Sequence, residues 1–328
     1  MTPLKIGILG AARIAAAAIV EPARALGHEL VAVAARDRSR AEAFAGQHGV
    51  AKVHDSYADL IEDPDVDVVY NALINSLHMP WNIAALAAGK HVLSEKPITA
   101  NADQARALRD VAASSPGTIV EGFHYLHHPA HLRLRELVTS GALGEIRHAE
   151  IAVAIPAPPD TDARWCLELA GGATMDLGCY ALHAARQLGT WIGATPELRS
   201  ADATLKAADM DAAMRVQLTY DGGVTCDCLW DMSASDVSMT WTVTGSKATA
   251  TSPAFVIPHL DSRLVVTSDG RSTDEPLGEH TSYTYQLAAL AASLHRGDAF
   301  PIDMDDSVAN AELIDACYRL AGLPPRGR

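Results

Sequence analysis

Residues 4–20 read LKIGILGAARIAAAAIV, and this stretch decides the fold of the first part of the chain. An apolar strand ends at Gly10, and a helix is predicted over residues 13–26. Strands at HELVAVAAR, DVDVVYNAL, HVLSEK and GTIVEGF then alternate with helices at SRAEAFAGQHG, HMPWNIAALAAGK and NADQARALRDVAASS. Because such alternation is typical of parallel sheets with helices on both faces, we predict an α/β domain over residues 1–122.

The remainder, residues 123–328, has a different pattern. Helices are predicted over residues 128–141, 172–189, 282–296 and 304–321. Strands such as MRVQLTYDGGVTCDCLW and SMTWTVTGSKATATS follow one another without helices between them, and Asp221-Gly222-Gly223 is typical of a hairpin turn. This pattern predicts an α+β domain with a largely antiparallel sheet, and we expect the last helix to pack back on the first domain.

The charge balance limits the partners of this protein. A formal net charge of −14, from 26 basic and 40 acidic residues, argues against nucleic acid and anionic membrane as main partners. Arg13 interrupts the N-terminal apolar run, so it does not resemble a secretory signal, and no later apolar run is long enough to span a membrane. The five scattered cysteines indicate reduced thiols rather than a disulfide framework. We therefore expect a cytoplasmic protein.

The turn after the first strand has the spacing of a dinucleotide-binding turn. Gly10, Ala12 and Ala15 give Gly-x-Ala-x-x-Ala, in which Ala12 departs from the usual glycine. The spacing alone fits an ordinary strand-to-helix turn equally well, but its position between a strand and a helix favours a dinucleotide. We predict cofactor contacts from Gly10, Ala12, Arg13 and Ile14.

The end of the second strand favours NADP(H) over NAD(H). An acidic residue there would bind the ribose 2′-hydroxyl of NAD, but the chain has Ala35. Arg36 follows, and Arg38 lies nearby; guanidinium groups suit a 2′-phosphate. The alternative interpretation is a solvated basic loop.

Two further segments should lie at the carboxyl ends of strands, where doubly wound sheets bind ligands. One is Glu95-Lys96-Pro97, in which the proline restricts the backbone beside the lysine. The other contains Asn75 and His78. We predict that Glu95, Lys96, Asn75 and His78 contact the cofactor, although a lysine in a loop is usually only solvated.

Several motifs resemble the Gfo/Idh/MocA family of oxidoreductases. They are IGILGAARIA, VVYNALINSLHMPWNIAALAAGKHVLSEKPITANADQARAL, GALGEIRHAE and GGATMDLGCYALHAARQL. The last of these most resembles the branch of dimeric dihydrodiol dehydrogenases, NADP-dependent D-xylose 1-dehydrogenases and glucose-fructose oxidoreductase. Ile74 and Tyr180 depart from patterns found elsewhere in the family. The resemblance implies a Rossmann domain plus an open-faced sheet domain, whose face commonly forms a dimer interface.

The resemblance also implies catalytic residues. It places Lys96, Asp176 and Tyr180 at the reacting carbon and implies that the Lys96–Pro97 peptide is cis. On a helix, Asp176, Tyr180 and His183 would share one face, although a buried stripe is the simpler interpretation. A phenol with a pKa near 10 becomes a better base beside an ammonium group, so Lys96 and Tyr180 make a sensible pair for hydride transfer.

Other residues are candidates for the substrate pocket. His124 and Tyr125 follow the last strand of the first domain, and Arg164 and Trp165 precede the glycines before Asp176. We predict substrate contacts from these four and from His183, with ordinary core or surface positions as the alternative. The histidines at 124–131 lack the spacing of a zinc site, so no metal is predicted.

The function predicted from these residues is NADP-dependent hydride transfer to or from a CH–OH group of a sugar-like or cyclic polyol substrate. One alternative is a nucleotide-sugar ketoreductase, and another is a non-catalytic NADP-binding sensor. The expected assembly is a homodimer, or a dimer of dimers, formed through the C-terminal sheet.

Overall fold

The computed structural model describes residues 2–327. Contacts divide the chain into two compact units. The first ends at Phe123 and includes Tyr283–Ala309, and the second contains His124–Ser282 and the chain from Asn310 onward. The returning segment, Tyr283–Ala309, contains the helix predicted over residues 282–296 and the start of the last helix, which was the one expected to return. The remainder of the last helix belongs to the second unit. Leu287 and Leu290 explain the return, because both are buried in the apolar core of that unit.

The structure contains two sheets. Their strands are β1 (Lys5–Leu9), β2 (Glu29–Ala34), β3 (Lys52–His54), β4 (Val68–Asn71), β5 (His91–Ser94), β6 (Ile119–Glu121), β7 (Ile146–Ala154), β8 (Glu197–Ala207), β9 (Met210–Thr219), β10 (Thr225–Asp231), β11 (Ser238–Gly245), β12 (Thr249–Ser252), β13 (Arg263–Ser268) and β14 (Arg271–Pro276). The helices are α1 (Arg13–Ala15), α2 (Glu21–Leu26), α3 (Arg38–His48), α4 (Tyr57–Glu62), α5 (Asn75–Ala87), α6 (Ala102–Ser114), α7 (Pro129–Thr139), α8 (Cys179–Ile192), α9 (Ser282–Arg296) and α10 (Met304–Leu320). Within residues 2–327, no helix combines the length and apolarity needed to cross a membrane.

The first unit is built on a six-stranded parallel sheet in the order β3-β2-β1-β4-β5-β6. Ile6, Ile8 and Val68 on its central strands are fully buried, as the continuous apolar runs predict. The predicted α/β Rossmann architecture is confirmed. Asn101 caps α6 by accepting a hydrogen bond from the Gln104 backbone N–H at 3.0 Å, as its sequence position predicts.

The second unit contains an eight-stranded sheet in the order β14-β13-β12-β11-β7-β10-β9-β8. Its strand pairs are antiparallel except for β7 with β10, which confirms the predicted largely antiparallel sheet. The β9–β10 hairpin turns at Gly222 and Gly223, whose φ angles of 84° require glycine. Buried Cys226, Cys228 and Trp230 alternate along β10 with outward-facing residues, so one face is packed and the other is open.

Four elements escape sequence prediction, among them the exposed strand β14. The short strand β3 and the helix α4 are too brief and polar to show a clear period. Strand β8 is largely exposed along its length, so hydrophobic alternation does not reveal it.

Candidate active site

The glycine turn after β1 has the close packing that its spacing predicts. Gly10 has φ 92°, and a Cβ there would lie 3.0 Å from Leu73 Cδ2, so both backbone and space favour glycine. Ala12 precedes α1 and supplies no side-chain cap, which leaves the first helical N–H groups for another acceptor. Arg13 and Ile14 are exposed at the helix start. These features agree with a phosphate-binding turn, and the cofactor contacts of Gly10, Ala12, Arg13 and Ile14 stay a prediction.

The basic residues after β2 have different environments. Arg36 is exposed, whereas the neighbouring Asp37 carboxylate caps α3 by accepting from the Ser39 N–H at 2.9 Å. Arg38 is paired with Glu42 and Asp55. Because these two carboxylates already neutralise the charge of Arg38, Arg36 is the stronger candidate for binding a 2′-phosphate.

Sequence reasoning missed a third arginine near the glycine turn. The Arg40 Nη2 donates to the Ala11 carbonyl oxygen at 3.3 Å. This contact brings a guanidinium beside the turn from the first part of α3. The available signal was its position in the first turn of the helix that follows β2.

Glu95 has a buried partner at the end of β5. The Tyr70 hydroxyl donates to Glu95 Oε1 at 2.6 Å, and the Glu95 backbone N–H donates to the Asn71 carbonyl at 2.9 Å. Burial, and secondarily the Glu95 charge, raise the pKa of Tyr70 well above its ordinary value. Glu95 therefore ties the start of the Lys96 loop to β4, an orienting role that the sequence does not disclose.

The Lys96–Pro97 peptide is cis, as the family resemblance implies. His78 lies beneath it and is almost fully buried, with Nδ1 2.7 Å from the Pro97 carbonyl oxygen and Nε2 2.9 Å from the Leu73 carbonyl oxygen. Because both ring nitrogens face backbone carbonyl oxygens, the geometry of His78 does not support the predicted contact with the cofactor. The ring instead connects the Lys96 loop to the segment at Leu73. Asn75, the first residue of α5, is half-buried.

A buried amide network supports the same strand ends. Asn71 Nδ2 donates to Asn82 Oδ1 at 2.8 Å, and Asn82 Nδ2 donates to Ser94 Oγ at 2.9 Å. Glu121 Oε1 accepts from the Ile98 N–H at 2.9 Å just beyond the cis peptide. Because buried polar groups are costly unless hydrogen-bonded, this network fixes the backbone that carries Lys96.

In the second unit, Tyr180 lies on the first turn of α8 and is 5% exposed. Its hydroxyl oxygen is 3.1 Å from His124 Nε2, and His124 Nδ1 is 2.8 Å from Ser282 Oγ. The structure thus joins two residues that the sequence separates by 56 positions. Ser282 was missed, because a serine at the first position of a helix is common and does not indicate a functional site.

Asp176 lies on a π-helical turn, Thr174–Gly178, that precedes α8. Its Oδ2 accepts from Arg164 Nη1 at 3.3 Å, and Arg164 also donates to Asp162. The pairing with Asp162 is the main cause that raises the pKa of Arg164. The wider turn changes the simple stripe predicted for Asp176, Tyr180 and His183, and each of these side chains has a different partner. Arg164 and Asp176 form one polar cluster.

Trp165 is half-buried beside that cluster. Its Nε1 donates to the Pro158 carbonyl at 3.2 Å, and Lys206 Nζ lies 4.7 Å from the ring centroid. The indole is therefore held from both its edge and one face.

Two predicted substrate residues pair with each other instead. The Tyr125 hydroxyl oxygen is 2.7 Å from His183 Nδ1, and both residues are fully buried. Tyr125 also packs edge-on against Phe255. These contacts place both residues in the core, and the substrate role predicted for them stays a prediction. Sequence position alone could not show this, because a polar residue on a buried face looks the same whether it meets a ligand or a neighbour.

Gly171 and Gly172, which precede Asp176, are held by the C-terminal segment. Arg326 Nε donates to the Gly171 carbonyl at 2.8 Å, and Arg326 Nη2 donates to Asp211 Oδ1 at 2.7 Å. Asp211 Oδ2 accepts from the Thr174 N–H at 2.6 Å. Farther along, a Cβ on Gly178 would lie 2.7 Å from the Trp230 indole. The close approach expected at this mid-helix glycine is therefore made by the protein itself.

Of the remaining histidines of the 124–131 segment, His128 and His131 are buried and His127 is half-buried. Burial lowers the pKa of His127 and of His128 from 6.5 to about 4, and that of His131 well below 6.5. No group of three or more His, Cys, Asp and Glu within residues 2–327 is arranged to hold a metal ion. These histidines are therefore neutral at neutral pH.

The buried histidines predict an acid-sensitive fold. Their folded pKa values lie below the unfolded value of 6.5, so between pH 6.5 and about 4 the unfolded chain binds protons that the folded chain does not. Stability should be full above pH 6.5 and fall below it by about 1.4 kcal/mol per pH unit for each such histidine. Urea midpoints measured from pH 7 to 5 test this, and His131→Gln should flatten the slope. A midpoint independent of pH in that window would contradict the assignment.

Two family models match this chain, one in each of its two parts. Residues 4–123 match the family model described as an oxidoreductase family with an NAD-binding Rossmann fold, and residues 131–251 match the GFO/IDH/MocA C-terminal domain. The chain is 33% identical over 321 residues to D-xylose 1-dehydrogenase (NADP(+)) 2 of Haloferax volcanii, with 97% of each chain covered. It is 34% identical over 200 residues to trans-1,2-dihydrobenzene-1,2-diol dehydrogenase of Xenopus tropicalis, covering 60% of this chain and 59% of that protein. A crystal structure of a 3-ketoreductase from Actinomadura kijaniata, in complex with NADP and TDP-benzene, matches with a TM-score of 0.87 at 29% identity, covering 96% of this chain and 97% of that chain.

Proposed function

Because this chain belongs to the GFO/IDH/MocA oxidoreductase family, we propose that it is an NADP-dependent enzyme that transfers hydride to or from a CH–OH group of a sugar-like or cyclic polyol substrate. The observation that carries the proposal is the Lys96 loop. This loop is braced at the carboxyl end of β5, in the same parallel sheet whose first strand ends at the glycine turn. In doubly wound sheets that edge is where the cofactor and the reacting groups meet.

The residues present fit NADP. Gly10 leaves no room for a side chain at the turn, and the helix that follows has no side-chain cap. Ala35 leaves no carboxylate to compete for a 2′-phosphate, and Arg36 is exposed beside it. When bound, NADP+ supplies the hydride acceptor.

We assign the proton chemistry to Tyr180 and Lys96. Tyr180 takes the hydroxyl proton of the substrate as its carbon is oxidised, and Lys96 stabilises the negative charge on the oxygen and favours the phenolate. Asp176, held by Arg164 at 3.3 Å, orients a substrate hydroxyl rather than acting as a free base. In reduction the proton moves in the opposite direction, from Tyr180 to the substrate.

A nucleotide-sugar ketoreductase is the second candidate, and one observation favours it. The match to the NADP-bound 3-ketoreductase covers nearly the whole chain at a TM-score of 0.87. The two candidates share the same chemistry and differ in the substrate that they bind. A non-catalytic NADP-binding sensor is a third candidate, which the presence of both Lys96 and Tyr180 disfavours.

A substrate panel tests the proposal. NADPH formation would be followed with aldoses, including D-xylose, and with trans-dihydrodiols, and NADPH consumption with dTDP-linked keto-sugars. We expect steady turnover with an aldose or dihydrodiol. Turnover only with a dTDP-keto-sugar would select the ketoreductase, and NADPH binding without turnover on any of the three classes would support the sensor.

The assignment of Arg36 predicts a change in cofactor preference. Because a hydrogen bond to a charged group contributes about 1.5–3 kcal/mol, Arg36→Ala should weaken NADPH binding at least ~10-fold and leave NADH binding unchanged. Arg38→Ala is the matched control, since Arg38 already pairs with Glu42 and Asp55. NADPH fluorescence titration measures both. Equal effects of the two substitutions, or none, would contradict the role of Arg36.

We also propose a cytoplasmic homodimer, or a dimer of dimers, that forms through the open face of the second sheet. Glu150 on β7, Arg215 on β9 and Asp227 on β10 point outward there and line a depression of about 380 Å³. Mixed charges on a broad open sheet suit pairing with a second copy of the same face. Light scattering after size-exclusion chromatography tests the assembly, and a monomer at micromolar concentration would contradict it.

A further inference from the structure

The hydroxyl group of Tyr180 is held by a buried histidine. Its oxygen lies 3.1 Å from His124 Nε2, and the two rings meet edge-on with centroids 5.9 Å apart. His124 is fully buried, and Tyr180 is 5% exposed. An imidazole in hydrogen-bond contact with the proposed acid–base group can change the protonation of that group directly.

The other nitrogen of His124 is also engaged. His124 Nδ1 lies 2.8 Å from Ser282 Oγ, and Ser282 is fully buried. When Nδ1–H donates to Ser282 Oγ, the lone pair of Nε2 is directed at the Tyr180 hydroxyl and can accept its proton. The same bond then stabilises the imidazolium, because a proton on Nδ1 still has its acceptor.

Rigid neighbours hold both rings. His124 opens the short 3-10 segment His124–His127, and Tyr180 follows the π turn whose Gly178 is pressed against the Trp230 indole. The contact is therefore a fixed feature of the second unit rather than a chance approach of two mobile side chains.

We propose that His124 is the proton acceptor that converts Tyr180 into a base during substrate oxidation. The Tyr180 O–H bond breaks, its proton moves to His124 Nε2, and a phenolate and an imidazolium result. The phenolate then takes the substrate hydroxyl proton, while the carbon releases a hydride to NADP+ and becomes a carbonyl. His124 finally gives the released proton to solvent. This inference rests on the proposed function, because it gives a role to His124 only if Tyr180 acts in that reaction.

The polar groups nearest to Tyr180 in the second unit have partners of their own. The Tyr125 ring lies 6.2 Å from the Tyr180 ring, and its hydroxyl is bonded to His183 at 2.7 Å. Asp176, which precedes Tyr180 by one turn, is bonded to Arg164. His124 Nε2 lies 3.1 Å from the hydroxyl of Tyr180, within hydrogen-bond distance.

The test compares pH profiles of the complete enzyme in both directions. His124→Gln keeps a hydrogen-bonding side chain but cannot take up the proton. We expect it to lower the oxidation rate at pH 7 about 10-fold, to move the acid limb of kcat/KM upward by about one pH unit, and to regain most activity at high pH. Reduction at low pH should change less than ~3-fold, because Tyr180 is then already protonated. Ser282→Ala should shift the profile in the same direction by a smaller amount.

An independent readout comes from 3-fluorotyrosine at position 180. Fluorine NMR then reports ionisation of this phenol without turnover, and His124→Gln should raise its pKa. The control is His131→Gln, which removes another buried histidine that has no contact with Tyr180 and should leave the fluorine titration in place. The inference is overturned if His124→Gln folds and leaves both the pH profile and the fluorine titration unchanged. If it does not fold, Ser282→Ala decides in the same way.

The result also separates this inference from the proposed function. Near-normal turnover of Tyr180→Phe would contradict the acid–base role of Tyr180 and, with it, the role of His124. If Tyr180→Phe loses turnover but His124→Gln leaves the pH profile and the fluorine titration unchanged, only the role of His124 is contradicted.

Discussion

Replacing Lys96 with alanine, or Tyr180 with phenylalanine, should lower turnover by at least ~10²-fold while NADPH still binds. Lys96→Ala removes the positive charge that stabilises the substrate oxygen, and Tyr180→Phe removes the hydroxyl that carries the proton. Neither change alters the glycine turn or Arg36, so cofactor affinity should remain within a few-fold of the original. Steady-state kinetics and NADPH fluorescence titration measure the two quantities separately.

Matched controls distinguish chemistry from general damage. Lys90 precedes β5 at its opposite end and donates to the Asp63 and Val66 carbonyls, so Lys90→Ala should affect stability more than turnover. Tyr220 donates to the Ala185 carbonyl at 2.8 Å, and Tyr220→Phe loses a hydroxyl from the core of the same unit as Tyr180. Near-normal turnover of Lys96→Ala or Tyr180→Phe would remove that residue from the proposed mechanism.

Arg326→Met should lower the free energy of unfolding by about 3–5 kcal/mol, the usual cost of leaving one member of a buried ion pair without the other. Arg326 and Asp211 side chains are 1% and 0% exposed, and their contact is 2.7 Å. The substitution leaves the Asp211 carboxylate buried with two neutral donors, the Thr174 N–H and the Tyr318 hydroxyl. It also frees the Gly171 carbonyl, so we expect a lower turnover as well.

Tryptophan fluorescence during urea unfolding measures this change, because Trp165, Trp191, Trp230 and Trp241 all lie beyond residue 123. The control is Arg199→Met, since Arg199 and Glu197 form an exposed pair on β8 whose loss should cost less than about 1 kcal/mol. A similar small effect at both positions would show that the buried pair does not hold the C-terminal segment in place.

Much of the first domain is predictable from local patterns. The alternating apolar strands and helices, the Asn101 cap and the glycine turn each depend on residues within a few positions of one another. The largely antiparallel second sheet follows in the same way from its hairpin turn and its runs of strands. The α9 helix shows the limit: its boundaries follow from its period, but its place in the core of the first unit does not.

In the candidate site, too, some residues could be predicted from the sequence and others only from the structure. Lys96 and Tyr180 were predicted through the family resemblance, and Arg36 through the missing acidic residue at Ala35. Glu95 with Tyr70, His124 with Ser282, and Tyr125 with His183 are pairs that no spacing reveals.

The sequence by itself determined the fold class and the family. It did so because periodicity and turn preference are local properties of the chain, and the motifs that carry the family resemblance are contiguous stretches of it. Only the tertiary structure decided which buried polar residues pair with one another. Hydrogen-bond partners such as Arg326 and Gly171, 155 residues apart, are chosen by packing across the fold. A buried polar group must find such a partner wherever the fold brings one within reach.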